Sequence, residues 1–75
     1  MDYRNIIERN PDILLGKPII KGTRISVELI VRKLSEGQSV EQLMESYPHL
    51  NKKHISGALA YAADMIANEY IVESV

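Results

Sequence analysis

The stretch from Ser39 to Ser56 does most to limit what this chain can become, because it reads as two helices joined by a tight connection. Val40, Leu43, Met44 and Tyr47 recur at i, i+3, i+4 and i+7, so they share one helical face, while Glu41, Gln42, Glu45 and Ser46 fall outside it. Ser39 followed three residues later by Gln42 is a capping-box arrangement, in which a hydroxyl and an amide satisfy orphan backbone donors. Pro48 ends this helix, since proline disfavours helical geometry in the residue before it and cannot donate to the ladder. After Pro48-His49-Leu50, Asn51 can cap a second helix that begins with Lys52 and Lys53. A helix, a short turn and a helix whose leading end is basic make a candidate helix-turn-helix, with Lys52 and Lys53 where DNA-reading side chains lie. Ser56 and Gly57, one turn further on, are small enough to let that helix approach a groove or a neighbouring helix.

The remaining segments are shorter. Tyr3 to Glu8, closed by Asn10-Pro11-Asp12, reads as a short strand, and Ile13-Leu14-Leu15 as an irregular packed segment. Gly16 and Gly22 bracket Lys17 to Lys21, a second short strand confined by Pro18 to an edge, able to pair with the first. Ser26 precedes Val27, Ile30, Val31 and Leu34 at helical spacing, and Gly37 supplies a left-handed stop, so a helix spans about 27–36 with Glu28, Arg32, Lys33 and Glu36 facing outward. The helix after Asn51 is the longest, with Ile55, Leu59, Ala62, Ile66 and Tyr70 as its stripe and Ala58, Tyr61, Met65 and Ile71 widening the apolar surface. A helix apolar over so much of its circumference needs a partner chain, and a homodimer is expected. The predicted fold is therefore mainly α: a three-helix helix-turn-helix, winged-helix-like core over residues 26–75, preceded by a short N-terminal β-strand pair within 1–25, forming one domain over 1–75.

Charge and composition narrow the functional classes. The net charge is −1, but residues 1–35 carry seven basic and four acidic side chains whereas 36–75 carry two and six, so any nucleic-acid surface must be local. It would use Lys52, Lys53 and Ser56 with Lys21 and Arg24 from the N-terminal half. Lys17, Lys21 and Arg24 could instead protect an edge strand by charge, and Arg24 could tie loop carbonyls together with its five donors. The absence of cysteine removes a disulfide framework. No run approaches a membrane span and the N-terminus lacks a signal-like apolar core, so a cytoplasmic, non-membrane protein is expected. His49 and His54 have no carboxylate or cysteine at ligand spacing, and no catalytic grouping stands out, so neither a metal, a cofactor nor an enzyme is expected.

The run Gly16-Lys-Pro-Ile-Ile-Lys-Gly-Thr-Arg-Ile-Ser26, with Gly37, Tyr47-Pro-His-Leu50 and Ala58-Leu-Ala-Tyr-Ala-Ala63, resembles the bacterial domain-of-unknown-function family numbered four hundred and thirty-three. The resemblance implies an antitoxin of the VapB type, encoded beside a toxin similar to PIN-domain ribonucleases. The expected function is that of an antitoxin in a type II toxin-antitoxin pair, neutralising a PIN-like toxin and repressing its own operator DNA. Tyr61, Met65, Ile66, Tyr70 and Ile71 are the candidate partner-binding residues, the acidic and apolar C-terminal helix taking the place of RNA on the toxin. The alternative is a protein-interaction module that dimerises and sequesters a partner without touching DNA.

Overall fold

A computed structural model describes residues 2–73, with side chains described through residue 68; Tyr70 and Ile71 lie beyond that point as side chains. The elements run β1 (Ile7–Arg9), a single 3₁₀ turn (Leu14–Gly16), β2 (Pro18–Ile20), α1 (Val27–Ser35), α2 (Val40–Ser46) and α3 (Lys52–Glu73). The architecture is mainly helical, with three helices behind an N-terminal antiparallel two-stranded sheet.

In the sheet, Ile7 pairs with Ile20, Glu8 with Ile19 and Arg9 with Pro18. The first strand is shorter than the expected Tyr3–Glu8, because the amides of Ile6 and Ile7 both donate to the Tyr3 carbonyl at 2.9 Å and close a turn there. β2 offers only three residues for pairing before the chain bends at Lys21-Gly22, so a longer β1 would have no partner. The turn at Asn10-Pro11-Asp12 forms as expected, with the Asp12 amide donating to the Asn10 side chain at 2.9 Å.

The helices keep their local stop and start signals. Ser26 caps α1 by accepting from the Leu29 amide at 3.0 Å. At the other end the Gly37 amide donates to Leu34 and the Gln38 amide to Lys33, both at 3.1 Å, the paired closure that needs a left-handed residue, here Gly37 at φ +97°. α2 carries the full capping box between Ser39 and Gln42. Its end is a hydrogen-bonded turn in which the Leu50 amide donates to the Tyr47 carbonyl at 2.8 Å, with Pro48 at the position proline prefers. No residue of that turn takes a positive φ, so it forms without a glycine.

One apolar core joins the elements. Ile7, Ile20, Val27, Ile30, Leu43, Leu50, Ile55 and Ala58 are buried, and the half-buried Val31, Leu34, Val40, Met44 and Tyr47 pack against them, as the spacing in α1 and α2 predicts. Burial of this kind contributes roughly 25 cal/mol per Å² of apolar surface, and here it is what assembles helices too short to persist alone. Two expectations need correction. The stripe expected on α3 holds only in part: Ile55 is buried and Ala62 half-buried, but Leu59 is 42% and Ile66 60% exposed, and Ala58 and Tyr61, expected only to widen the apolar surface, pack inward instead. α3 approaches its neighbours closely, and close approach selects small residues rather than large ones. The segment Ile13-Leu14-Leu15 packs only through the half-buried Ile13; Leu14 is 41% and Leu15 95% exposed.

Candidate functional site

Seven of the nine lysines and arginines fall before residue 36, yet their partners sort them differently. Arg4 pairs with Asp2 at 2.9 Å, Lys17 and Arg32 both pair with Glu28 at 3.0 Å, Lys33 lies 3.9 Å from Glu36, and Arg9 donates to the Tyr61 hydroxyl at 2.7 Å. Among the described residues, Lys21, Arg24, Lys52 and Lys53 have neither an ion-pair nor a side-chain hydrogen-bond partner. These four lie at one end of the fold, around the β2–α1 loop and the α2–α3 turn.

The loop at that end is pinned from inside. Thr23 Oγ1 donates to the Ile20 carbonyl at 2.8 Å and accepts from the Ile25 amide at 3.0 Å, the Lys21 amide donates to Ile6, and the Gly22 amide donates to Glu8 at 3.1 Å. The tying role expected of Arg24 thus belongs to Thr23, and the Arg24 side chain is left exposed. Lys17, engaged by Glu28, drops out of the basic surface.

α3 begins with a second reciprocal cap. The Asn51 side chain accepts from the His54 amide at 2.9 Å, and His54 Nδ1 accepts from the Asn51 amide at 3.2 Å. Lys52, Lys53 and Ser56 are exposed, and Ser56 stands four and three residues after the lysines, on the same face of the helix. Gly57 faces the other way. A Cβ built there would come within 3.0 Å of Ile6 Cγ2 and 3.1 Å of Cδ1, so Gly57 serves packing against Ile6 rather than approach to a groove.

Between the β2–α1 loop and the α2–α3 turn lies an open cavity of about 490 Å³ that brings Lys21, Arg24, His49 and His54 together. Metal-ligand spacing alone does not place the two histidines beside Lys21 and Arg24, where the fold puts them. The Asn51-x-x-His54 spacing was the available signal that His54 would be held at the start of α3.

The candidate partner residues meet at a second feature. An apolar groove of about 450 Å³ runs between α1 and α3, walled by Val27, Val31, Tyr61, Ala62, Met65 and Ile66, with Arg9 and Arg32 on its rim. Tyr61 is fixed there: its ring meets Tyr3 edge-on at 5.4 Å between centroids, and its hydroxyl accepts from Arg9. Tyr3 in turn donates to Asp64 at 2.7 Å, and that bond, favouring the protonated phenol, raises the Tyr3 pKa above its ordinary value. Tyr61, Met65 and Ile66 therefore share one surface; Tyr70 and Ile71 lie outside the residues whose side chains are described. Among the described residues no group of histidines and carboxylates could hold a metal ion, and no helix is long and apolar enough to cross a membrane.

Residues 7–62 match the model of a family described as protein of unknown function, DUF433. The chain is 39% identical over 59 residues to the uncharacterized protein y4eO of Sinorhizobium fredii, an alignment covering 79% of this chain and 27% of that protein. It thus spans about a quarter of the length of that relative. A crystal structure of a DUF433 member protein from Anabaena variabilis superposes with a TM-score of 0.77 at 29% identity, covering 88% of this chain and 68% of that one.

Proposed function

Since the chain belongs to the DUF433 family, whose function is unknown, we propose that it is an antitoxin-type module with two working surfaces. One is the α2-turn-α3 unit, acting as a helix-turn-helix that meets operator DNA through Lys52, Lys53 and Ser56, with Lys21 and Arg24 on the flanking backbone. The other is the groove between α1 and α3, which takes a protein partner: a second copy of the chain in a homodimer and, in complex, a PIN-like ribonuclease toxin.

The observation that carries the nucleic-acid surface is the segregation of unpaired cations. Charges already neutralised within the fold contribute little to a phosphate backbone, and four that are not neutralised sit at one end, beside the leading turn of α3. Phosphate contacts of this kind fix position and release counterions, so affinity falls steeply with salt. A two-fold dimer would set two such ends against half-sites about one helical turn apart.

The test is a titration with the DNA upstream of the gene over a range of salt. Lys52→Ala with Lys53→Ala is expected to weaken binding about uniformly across sequences and to reduce the salt slope by about 2, near 1 for each lysine. An unchanged affinity and slope would remove α3 from the DNA surface. The second reading, a dimerising protein-interaction module that leaves DNA alone, draws on the apolar groove and the net charge of −1; absence of salt-dependent DNA binding by the parent chain would select it.

A further inference from the structure

We infer that the cavity between the β2–α1 loop and the α2–α3 turn is a seat for a single phosphate group, held by Lys21, Arg24, His49 and His54. This deepens the nucleic-acid reading and rests on it for the source of the phosphate, while the seat itself rests on the geometry below.

The donor set points to an anion. Two basic side chains and two imidazoles line the cavity and, among the described residues, no carboxylate does, so a cation would meet two positive charges and no negative one, whereas an anion is attracted. Glu8, the acid bonded to this loop, is engaged with the Gly22 amide and is not part of the lining. Lys21 and Arg24 have no partner within the described fold, so an incoming phosphate would displace no ion pair. Arg24 can offer a two-pronged donor to phosphate oxygens, and Lys21 a compact charge.

His54 adds a donor whose tautomer is set by the fold. Its Nδ1 accepts the Asn51 amide at 3.2 Å, so in the neutral ring the proton resides on Nε2, which is then a hydrogen-bond donor. The loop opposite is equally pre-set, because Thr23 bonds both Ile20 and Ile25 and the Lys21 amide bonds Ile6. A site already ordered on both sides loses little entropy when it is filled. Its volume, about 490 Å³, falls in the range of small-ligand sites and leaves room for a sugar attached to the phosphate.

The experiment uses the full chain, labelled with ¹⁵N, and inorganic phosphate at constant ionic strength balanced with sodium chloride. Saturable shifts are expected at the imidazole nitrogens of His49 and His54 and at the amides of Lys21 to Ile25. Lys21→Ala with Arg24→Ala should weaken that binding by at least about tenfold, since each charge-assisted bond is worth about that factor or more. Arg4→Ala, which removes a charge paired with Asp2 outside the cavity lining, should leave it within about twofold. No saturable shift in the parent chain, or equal binding by the Lys21 and Arg24 variant, overturns the seat, and the parent titration decides the matter even if that variant fails to fold.

A second arm adds duplex DNA to the phosphate-bound protein. Displacement of phosphate from His49 and His54 assigns a backbone phosphodiester as the occupant and supports both readings. Phosphate binding with no DNA binding supports the seat, assigns it to a free phosphomonoester and ends the nucleic-acid reading. DNA binding that leaves both histidines unshifted overturns the seat as a DNA contact and leaves Lys52 and Lys53 to carry the duplex.

Discussion

At Gly57 a close neighbour, and at Leu15 the backbone, limits what a side chain can do. In a helix interior, replacing glycine by alanine ordinarily gains about 1 kcal/mol. At Gly57 the added Cβ would press on Ile6 at 3.0 and 3.1 Å, tighter than ordinary contact, so overpacking opposes the propensity gain. Gly57→Ala should therefore destabilise the chain by about 1 kcal/mol in urea unfolding, and a full propensity gain instead would show that Ile6 yields without cost. Leu15 presents the opposite case. It holds φ +58° beside Leu14 at +49°, in the left-handed region that branched side chains disfavour, and at 95% exposure it gains almost no burial in return. Leu15→Asn keeps that backbone at lower cost and should raise stability by about 1 kcal/mol; a lower unfolding midpoint would mean that the leucine side chain serves the fold after all.

At the scale of elements, short helices depend on their ends and on ties to their neighbours. α2 has only seven residues, and its capping box and the buried Leu43 are what hold it against the other helices. Glu28 ties α1 to the residue before β2, accepting from Lys17 Nζ and from Arg32 Nη2, both at 3.0 Å. Lys17 first and Arg32 second pull the Glu28 pKa below the ordinary glutamate value. For a carboxyl depressed in the folded state, the stabilisation is present above the unfolded pKa and disappears as pH falls through the folded one. Glu28→Gln should therefore lower the melting temperature near pH 6 and leave it nearly unchanged near pH 3, a small difference because the pair is exposed. An equal loss at both pH values would assign the effect to packing rather than charge.

At the scale of the whole molecule, the basic end and the apolar groove draw on different parts of α3. Its first turn carries Lys52, Lys53 and His54, the buried Ile55 and Ala58 follow directly, and its later turns carry Met65 and Ile66, which are 39% and 60% exposed. Met65 and Ile66 thus lie outside the core, so these exposed apolar residues can meet another chain without unpacking the domain. Ile66→Asp should shift the expected dimer toward monomer in sedimentation at tens of micromolar while leaving the unfolding of the monomer little changed, because a charge in an apolar contact is costly to desolvate. A dimer of undiminished strength would place the interface away from the groove.

What the sequence determined by itself were the features whose causes are local. Ser26, Ser39 and Asn51 cap helices because each needs only an amide two or three residues away. Gly37 and Pro48 stop them through backbone sterics, and the apolar spacing of α1 and α2 fixes which faces turn inward. Tertiary packing decided what local spacing could not encode. β1 was trimmed by the length of its partner strand, and the buried side of α3 was set by the small residues that permit close approach. Lys17 and Arg9 find Glu28 and Tyr61 only in the folded chain, 11 and 52 residues further along, and a linear count of charges could not give that. The meeting of Lys21 and Arg24 with His49 and His54 has the same origin: it joins two loops that are distant along the chain, and it exists only because the core draws β2 and the start of α3 to the same end.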